Sequence, residues 1–123
     1  MTTFQIIITI GIQALAAGLG LYALALLLQK ARTQTVVALH LLAGLGGVEI
    51  LMGILHVSDF DADSPVRALG MTAAKIFGVA LAAGALIPLF GKGRPQLVNL
   101  LLTIHVGAAL AAFVATLMFV RQV

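Results

Sequence analysis

The stretch LHLLAGLGG, residues 39–47, lies in the middle of a long apolar run. A looser copy, IHVGAALAA at residues 104–112, lies in a second long apolar run. Each copy places a histidine, His40 or His105, on one helical face with glycine or alanine three and four residues later. An ionisable residue placed twice in hydrocarbon beside small residues predicts a site that two helices share.

Composition identifies the class of protein. The chain has 123 residues, of which 62% are hydrophobic and only 9% are charged. A soluble domain of this length could not cover so much apolar surface with so few charges, so we predict an integral membrane protein. The absence of cysteine excludes disulfides, thiolate metal sites and cysteine nucleophiles. The net charge of only +3 does not suggest a nucleic acid partner.

Four apolar runs follow one another along the chain. Each has roughly the twenty residues that a helix needs to cross a bilayer, and they predict transmembrane helices at about residues 4–28, 36–57, 68–90 and 97–120. We predict an all-α membrane protein with a single transmembrane domain, residues 1–123, folded as an up-down-up-down four-helix bundle. The two histidine copies suggest a twofold internal repeat, in which helices three and four repeat helices one and two.

The connections between the runs predict the orientation of the chain. The first and third connections carry the basic residues Lys30, Arg32, Lys92 and Arg94. Because lysine and arginine favour the cytoplasmic side, we predict a multi-pass protein of the cytoplasmic (inner) membrane with both termini on the outer, periplasmic side. In the middle connection, Ser64 or Asp63 can cap the third helix and Pro65 suits its first turn.

The two histidines lie at similar depth in the membrane. His40 follows Arg32 by eight residues and His105 follows Arg94 by eleven, which differ by about one helical turn. Small residues share a face with each histidine, among them Gly44, Gly47 and Ala109. A slot between small residues is what a flat macrocycle requires, and haem iron accepts two neutral imidazoles as axial ligands.

The leading functional hypothesis is therefore a b-type haem that His40 and His105 ligate, with Arg32 and Arg94 near its propionates. The pattern resembles the bis-histidine ligation of small membrane b-type cytochromes, which implies an electron-transfer subunit rather than an enzyme. It departs from their pattern because His56 points to a face of its helix nearly opposite to that of His40. A chlorophyll-like ring on one histidine is an alternative cofactor.

The alternative is a structural role, in which the chain is an accessory or assembly subunit without any cofactor. Glycine and alanine on transmembrane faces commonly serve close packing, and a buried histidine can bond a hydroxyl such as that of Thr35 or Thr103. No nucleophile elbow, phosphate loop or metalloprotease helix is present, so we expect no catalytic residues.

A second polar group is predicted in the outer half of the membrane. Gln13, Glu49 and Lys75 reach a similar depth on the first three helices. We interpret Glu49 and Lys75 as a structural salt bridge with Gln13 as an extra partner, because an unpaired charge at that depth is costly. The alternative is a proton or cation transporter that uses Glu49, Lys75 and His56 in series.

The helical phase of Glu49 also predicts a neighbour. Glu49 follows His40 by nine residues, about half a turn out of phase, so an inward His40 leaves Glu49 facing outward. Lipid alone does not satisfy such a face. We therefore expect the chain to be a homo-oligomer or a subunit of a larger membrane complex.

Overall fold

The computed structural model describes residues 1–31, 33–58, 60, 61 and 63–123. The described residues form four α-helices and no strand, namely α1 (Thr3–Leu28), α2 (Gln34–Val57), α3 (Pro65–Phe90) and α4 (Pro95–Val120). The helices have 26, 24, 26 and 26 residues, and each is apolar enough to cross a membrane. The chain is a multi-pass integral membrane protein, and the predicted all-α fold with four spanning helices is confirmed.

Each helix begins one to three residues before its predicted start, and at α1 and α3 a capping residue precedes the apolar run. Thr2 caps α1, since its hydroxyl accepts the Gln5 amide at 3.2 Å while its own amide donates to the Gln5 side-chain oxygen at 2.8 Å. Ser64 caps α3 by accepting the Arg67 amide at 3.1 Å, and Pro65 occupies the first turn. Both caps satisfy amides that the helix itself leaves without partners.

The first compact unit is residues Met1–Val57, a hairpin of α1 and α2. Gly20, in the last third of α1, lies against His40 near the start of α2. Farther along, Gln13 lies against Gly47. The two helices are therefore antiparallel neighbours, as the short connection predicts.

The end of α1 carries a left-handed residue that is not glycine. Lys30 has a φ of 57°, and its amide donates to the Leu27 carbonyl at 3.1 Å. The next amide, that of Ala31, donates to the Leu26 carbonyl at 2.9 Å. This pair of bonds ends the helix in a Schellman motif, with Lys30 as the first residue of the connection to α2 that has a left-handed conformation.

The second compact unit is residues Ser58–Val123, which contains α3 and α4. Gly84, in the last third of α3, lies against His105 in the first half of α4, so these helices are also antiparallel neighbours. The turn between them contains Gly93 at a φ of +72°, a conformation that glycine adopts without strain. Each unit is thus one helical hairpin.

The segment that precedes α3 packs against the end of α4. The rings of Phe60 and Phe119 have their centroids 5.9 Å apart and meet edge to face at 71°. Phe119 is fully buried. Edge-to-face contact is a favourable aromatic geometry, so it ties the start of this unit to its last helix turn.

Large apolar side chains are exposed along the helices, as lipid-facing positions require. Phe4, Leu28 and Leu89 expose 72, 76 and 70% of their surface. Many of the buried apolar residues are small, such as Ala73 and Ala112, both fully buried. Helices that pack through alanine and glycine approach closely, which is the usual packing of transmembrane helices.

Candidate functional site

His40 is bound to the backbone of the helix that precedes it. Its Nδ1 lies 2.9 Å from the carbonyl oxygen of Ala16, one helix turn before Gly20. A carbonyl oxygen only accepts hydrogen bonds, so Nδ1 carries a proton and donates it. A Cβ added at Gly20 would lie 2.8 Å from Cε1 of this imidazole. Glycine at this position is what allows the ring to lie on the α1 backbone.

His105 makes the same contact in the second hairpin. Its Nδ1 lies 2.7 Å from the carbonyl oxygen of Ala80 and donates to it. A Cβ added at Gly84 would lie 2.8 Å from Nδ1 and 3.0 Å from Cε1 of the ring. Thr103, the hydroxyl that the sequence suggested as a histidine partner, instead donates to the Asn99 carbonyl at 2.8 Å.

The two contacts are equivalent by chain position. We name them the first clamp (Ala16, Gly20 and His40) and the second clamp (Ala80, Gly84 and His105). Corresponding alanines and glycines are 64 residues apart, and the histidines are 65 residues apart. The internal repeat predicted from the histidine stretches is therefore present in the local structure of the hairpins.

Sequence reasoning identified the histidines of the clamps but missed the four residues that receive them. The available signal is a pair of alanine and glycine four residues apart, which occurs in the first helix of each half at Ala16 and Gly20 and again at Ala80 and Gly84. Alignment of the two halves on the histidines brings these pairs to within one residue of each other, because the histidines are 65 residues apart and the pairs are 64 apart.

The other residues predicted around the histidines lie in several settings. Gly47 faces α1, where a Cβ would lie 3.3 Å from Cγ of Gln13. Gly44 and Ala109 are half-buried. Arg94 is exposed at the residue before α4, and Arg32 lies outside the described residues.

Arg94 borders a depression of about 480 Å³ at the turn between α3 and α4. Its lining consists of Gly93, Arg94, Pro95, Gln96 and Leu97. This depression therefore belongs to the α3–α4 connection and contains neither histidine.

The residues of the predicted polar cluster differ in exposure, since one is buried and three are exposed. Gln13 is only 3% exposed, and neither atom of its side-chain amide has a hydrogen-bond partner among the described residues. Glu49, His56 and Lys75 are exposed. Glu49 belongs to the first hairpin and Lys75 to the second, and their salt bridge stays a prediction.

The clamps constrain the chemistry of the imidazoles. When Nδ1 of a neutral histidine donates a hydrogen bond, its lone pair resides on Nε2. Metal-binding histidines commonly have this arrangement, in which a carbonyl fixes the ring and the tautomer.

Comparison of the chain with models of protein families, with curated proteins and with solved structures found no match.

Proposed function

We propose that the chain is a small electron-transfer protein of the membrane that binds a b-type haem through Nε2 of His40 and His105. The observation that carries the proposal is the pair of bonds from Nδ1 to a backbone carbonyl, 2.9 Å for His40 and 2.7 Å for His105. Such a bond orients the imidazole and increases its basicity as a ligand. Its occurrence in both hairpins supports a role for two equivalent ligands.

The donor set supports haem rather than a bare metal ion. In the part of the chain that the structure describes, no three histidine, aspartate or glutamate side chains are grouped to hold a metal. Haem needs only two protein ligands because the porphyrin supplies the remaining four nitrogens. When bound, it supplies a one-electron couple at the iron.

The other residues of the site have supporting roles in this proposal. Arg94, with Arg32, would pair with the propionates, and Gly44 and Ala109 would leave space along the helices, whereas Gly47 packs against Gln13. A chlorophyll-like ring held by a single histidine is the variant of the proposal in which only one clamp carries a ligand.

The proposal also includes the location of the chain. The basic residues of the α1–α2 and α3–α4 connections favour a cytoplasmic membrane, with these connections in the cytoplasm and both termini outside. The clamps then lie in the cytoplasmic half of the bilayer, near the same basic residues.

The test is a visible absorption spectrum of the protein, purified in mild detergent from cells supplied with a haem precursor. We expect a sharp α band after dithionite reduction, and we expect His40→Ala and His105→Ala each to abolish that low-spin band. His56→Ala is the matched control, because His56 is the third histidine of the chain and is exposed at the end of α2. It should leave the band unchanged.

Far-UV circular dichroism separates loss of a ligand from loss of the fold. A variant that keeps its helical content and loses the band supports ligation. A wild-type protein that is helical and colourless would rule out the haem proposal, and the clamps would then be structural bonds of an accessory subunit. A spectrum that only one histidine variant changes would favour the single-ligand ring.

Transport of a proton or small cation is the second candidate function. The observation that favours it is an exposed face of α2 that carries Glu49, Gly53 and His56 at successive turns. A Cβ at Gly53 would meet nothing within 4 Å, so the hairpin leaves this position on the face open. Glu49→Gln should then reduce proton flux into proteoliposomes at least about tenfold, whereas equal flux for both proteins would exclude this function.

A further inference from the structure

Two charged residues of opposite sign are exposed on the spanning helices of their own hairpins. Glu49 on α2 and Lys75 on α3 are both exposed. Lipid satisfies the exposed apolar side chains around them, such as Leu45 and Val79, but it does not satisfy a charge. These two positions therefore require a polar partner that the surrounding hydrocarbon does not supply.

The two charges lie at similar distances from the helix ends that flank the α2–α3 connection. Glu49 precedes the last residue of α2 by eight positions, and Lys75 follows the first residue of α3 by ten. At about 1.5 Å per residue, each lies roughly 12 to 15 Å from the end of its helix. These ends flank one short connection, residues 58–64, so both depths are measured from the same side of the membrane.

Neither charge is part of the sequence repeat that the two hairpins share. Counting 65 residues along the second helices, Glu49 corresponds to Val114, and counting 64 along the first helices, Lys75 corresponds to Gly11. Val114 and Gly11 are also exposed but uncharged. The acid occurs at this position in one hairpin only and the base in the other only, so neither charge is part of the repeat.

Both charges have an open glycine beside them. Gly53 is one turn after Glu49 and Gly78 is one turn after Lys75. A Cβ at either glycine would meet nothing within 4 Å, so the backbone there is uncovered by its own hairpin. Glycine on an exposed helix face lets a neighbouring helix approach closely.

We infer that the partner is a second copy of this chain, in which Glu49 of each copy pairs with Lys75 of the other. Opposite charges on two faces of one chain form two identical ion pairs across a twofold axis, which is the commonest symmetry of homo-oligomers. The inference does not depend on haem, because none of its residues belongs to a clamp.

Charge reversal distinguishes pairing between copies from pairing within one chain. The chain with Glu49→Lys carries two cationic groups at this depth, and the chain with Lys75→Glu carries two anionic groups. If pairs form between copies, each variant repels itself, while the two variants attract each other. If pairs form within one chain, both variants are equally disrupted and co-expression restores nothing.

The experiment is to co-express the two variants with different affinity tags and to measure co-purification in mild detergent. We expect the mixed pair to co-purify at least about tenfold more than either variant with itself, and as well as two tagged wild-type chains. Equal recovery of mixed and self pairs, or no association of the wild-type copies, would overturn the inference.

Cysteine cross-linking keeps the inference testable if a charge-reversed chain is not inserted. The chain has no cysteine of its own, so Glu49→Cys and Lys75→Cys can be placed on separate tagged copies. A short bifunctional maleimide, whose spacer replaces the length of the two removed side chains, should join the two tags in one band near twice 12.7 kDa plus the mass of the tags. Val114→Cys with Gly11→Cys is the matched control and should give no such band. No cross-link for the first pair, or equal cross-linking of both pairs, would contradict a specific interface.

Discussion

The imidazole of His40 lies directly on the backbone of α1. This is possible because Gly20 has only a hydrogen atom where any other residue has a side chain. The same relation holds between His105 and Gly84. Two consequences follow from this residue-scale contact. The histidine side chain satisfies its Nδ1–H inside the membrane, and the bond joins the two helices of a hairpin. A buried N–H without an acceptor would cost about 1–3 kcal/mol.

The first residue-scale prediction concerns the glycine of each clamp. In Gly20→Ala the new methyl group would lie 2.8 Å from Cε1 of His40 and would displace the ring from the Ala16 carbonyl. We expect a loss of about 1–3 kcal/mol in the free energy of unfolding. Titration with a denaturing detergent, followed by circular dichroism, measures this loss, and Gly84→Ala should behave alike.

Gly18→Ala is the control, because it lies on the same helix and a Cβ there meets nothing within 4 Å. It should leave the unfolding midpoint unchanged or raise it slightly, since alanine favours helices over glycine. Equal destabilisation by Gly18→Ala and Gly20→Ala would mean that the clamp does not determine the effect.

At the scale of the element, helix ends and helix pairing have different origins. The ends depend on neighbouring residues, such as Ser64 before α3 and the Thr2–Gln5 pair at α1, whose bonds reach only three residues. Pairing within a hairpin depends on the register between two helices. Every helix here is apolar around most of its circumference, so the polar-to-apolar contrast that orients a helix in a soluble protein is weak.

A helix in lipid is therefore oriented by its small residues and by its few hydrogen-bonding groups. Each clamp combines a small residue and a hydrogen bond in one contact, and the two clamps occur at equivalent positions of the two hairpins. Gln13 and Gly47 give the first hairpin a further close contact, with Cγ of Gln13 3.3 Å from the position a Cβ would take. The second hairpin has Phe77 and Ala112 at the equivalent positions, so the repeat conserves the clamp and not the whole interface.

At the scale of the whole molecule, the four spans and the distribution of basic residues determine how the chain enters a membrane. Lys92 and Arg94 lie in the α3–α4 connection, and both are exposed. An even number of spans places both termini on one side. In the proposed orientation, that side is opposite the basic connections.

The whole-molecule prediction is a topology measurement. Alkaline phosphatase fused after Val123 should be active in bacterial cells, because the enzyme folds only outside the cytoplasm. The same enzyme inserted at Lys92 should be inactive, and green fluorescent protein should give the reverse pattern at the two sites. Activity at Lys92 with none at Val123 would show the opposite orientation.

The sequence alone determined the class of protein and the four spans, limited the α3 cap to Ser64 or Asp63, and indicated the two histidines as the residues to examine. These features are local: hydropathy sums over about twenty consecutive residues, and a cap acts within one turn. The sequence also indicated the repeat, through the histidine stretches.

Only the tertiary structure decided what each histidine contacts. His40 and Ala16 are 24 residues apart, and His105 and Ala80 are 25 apart. Their contact depends on how α1 and α3 are rotated against the helices that follow them. In a membrane helix rich in leucine, alanine and glycine, many faces are equally apolar, so hydropathy does not select one. Close approach at Gly20 and Gly84, with a carbonyl one turn away as the acceptor, selects it.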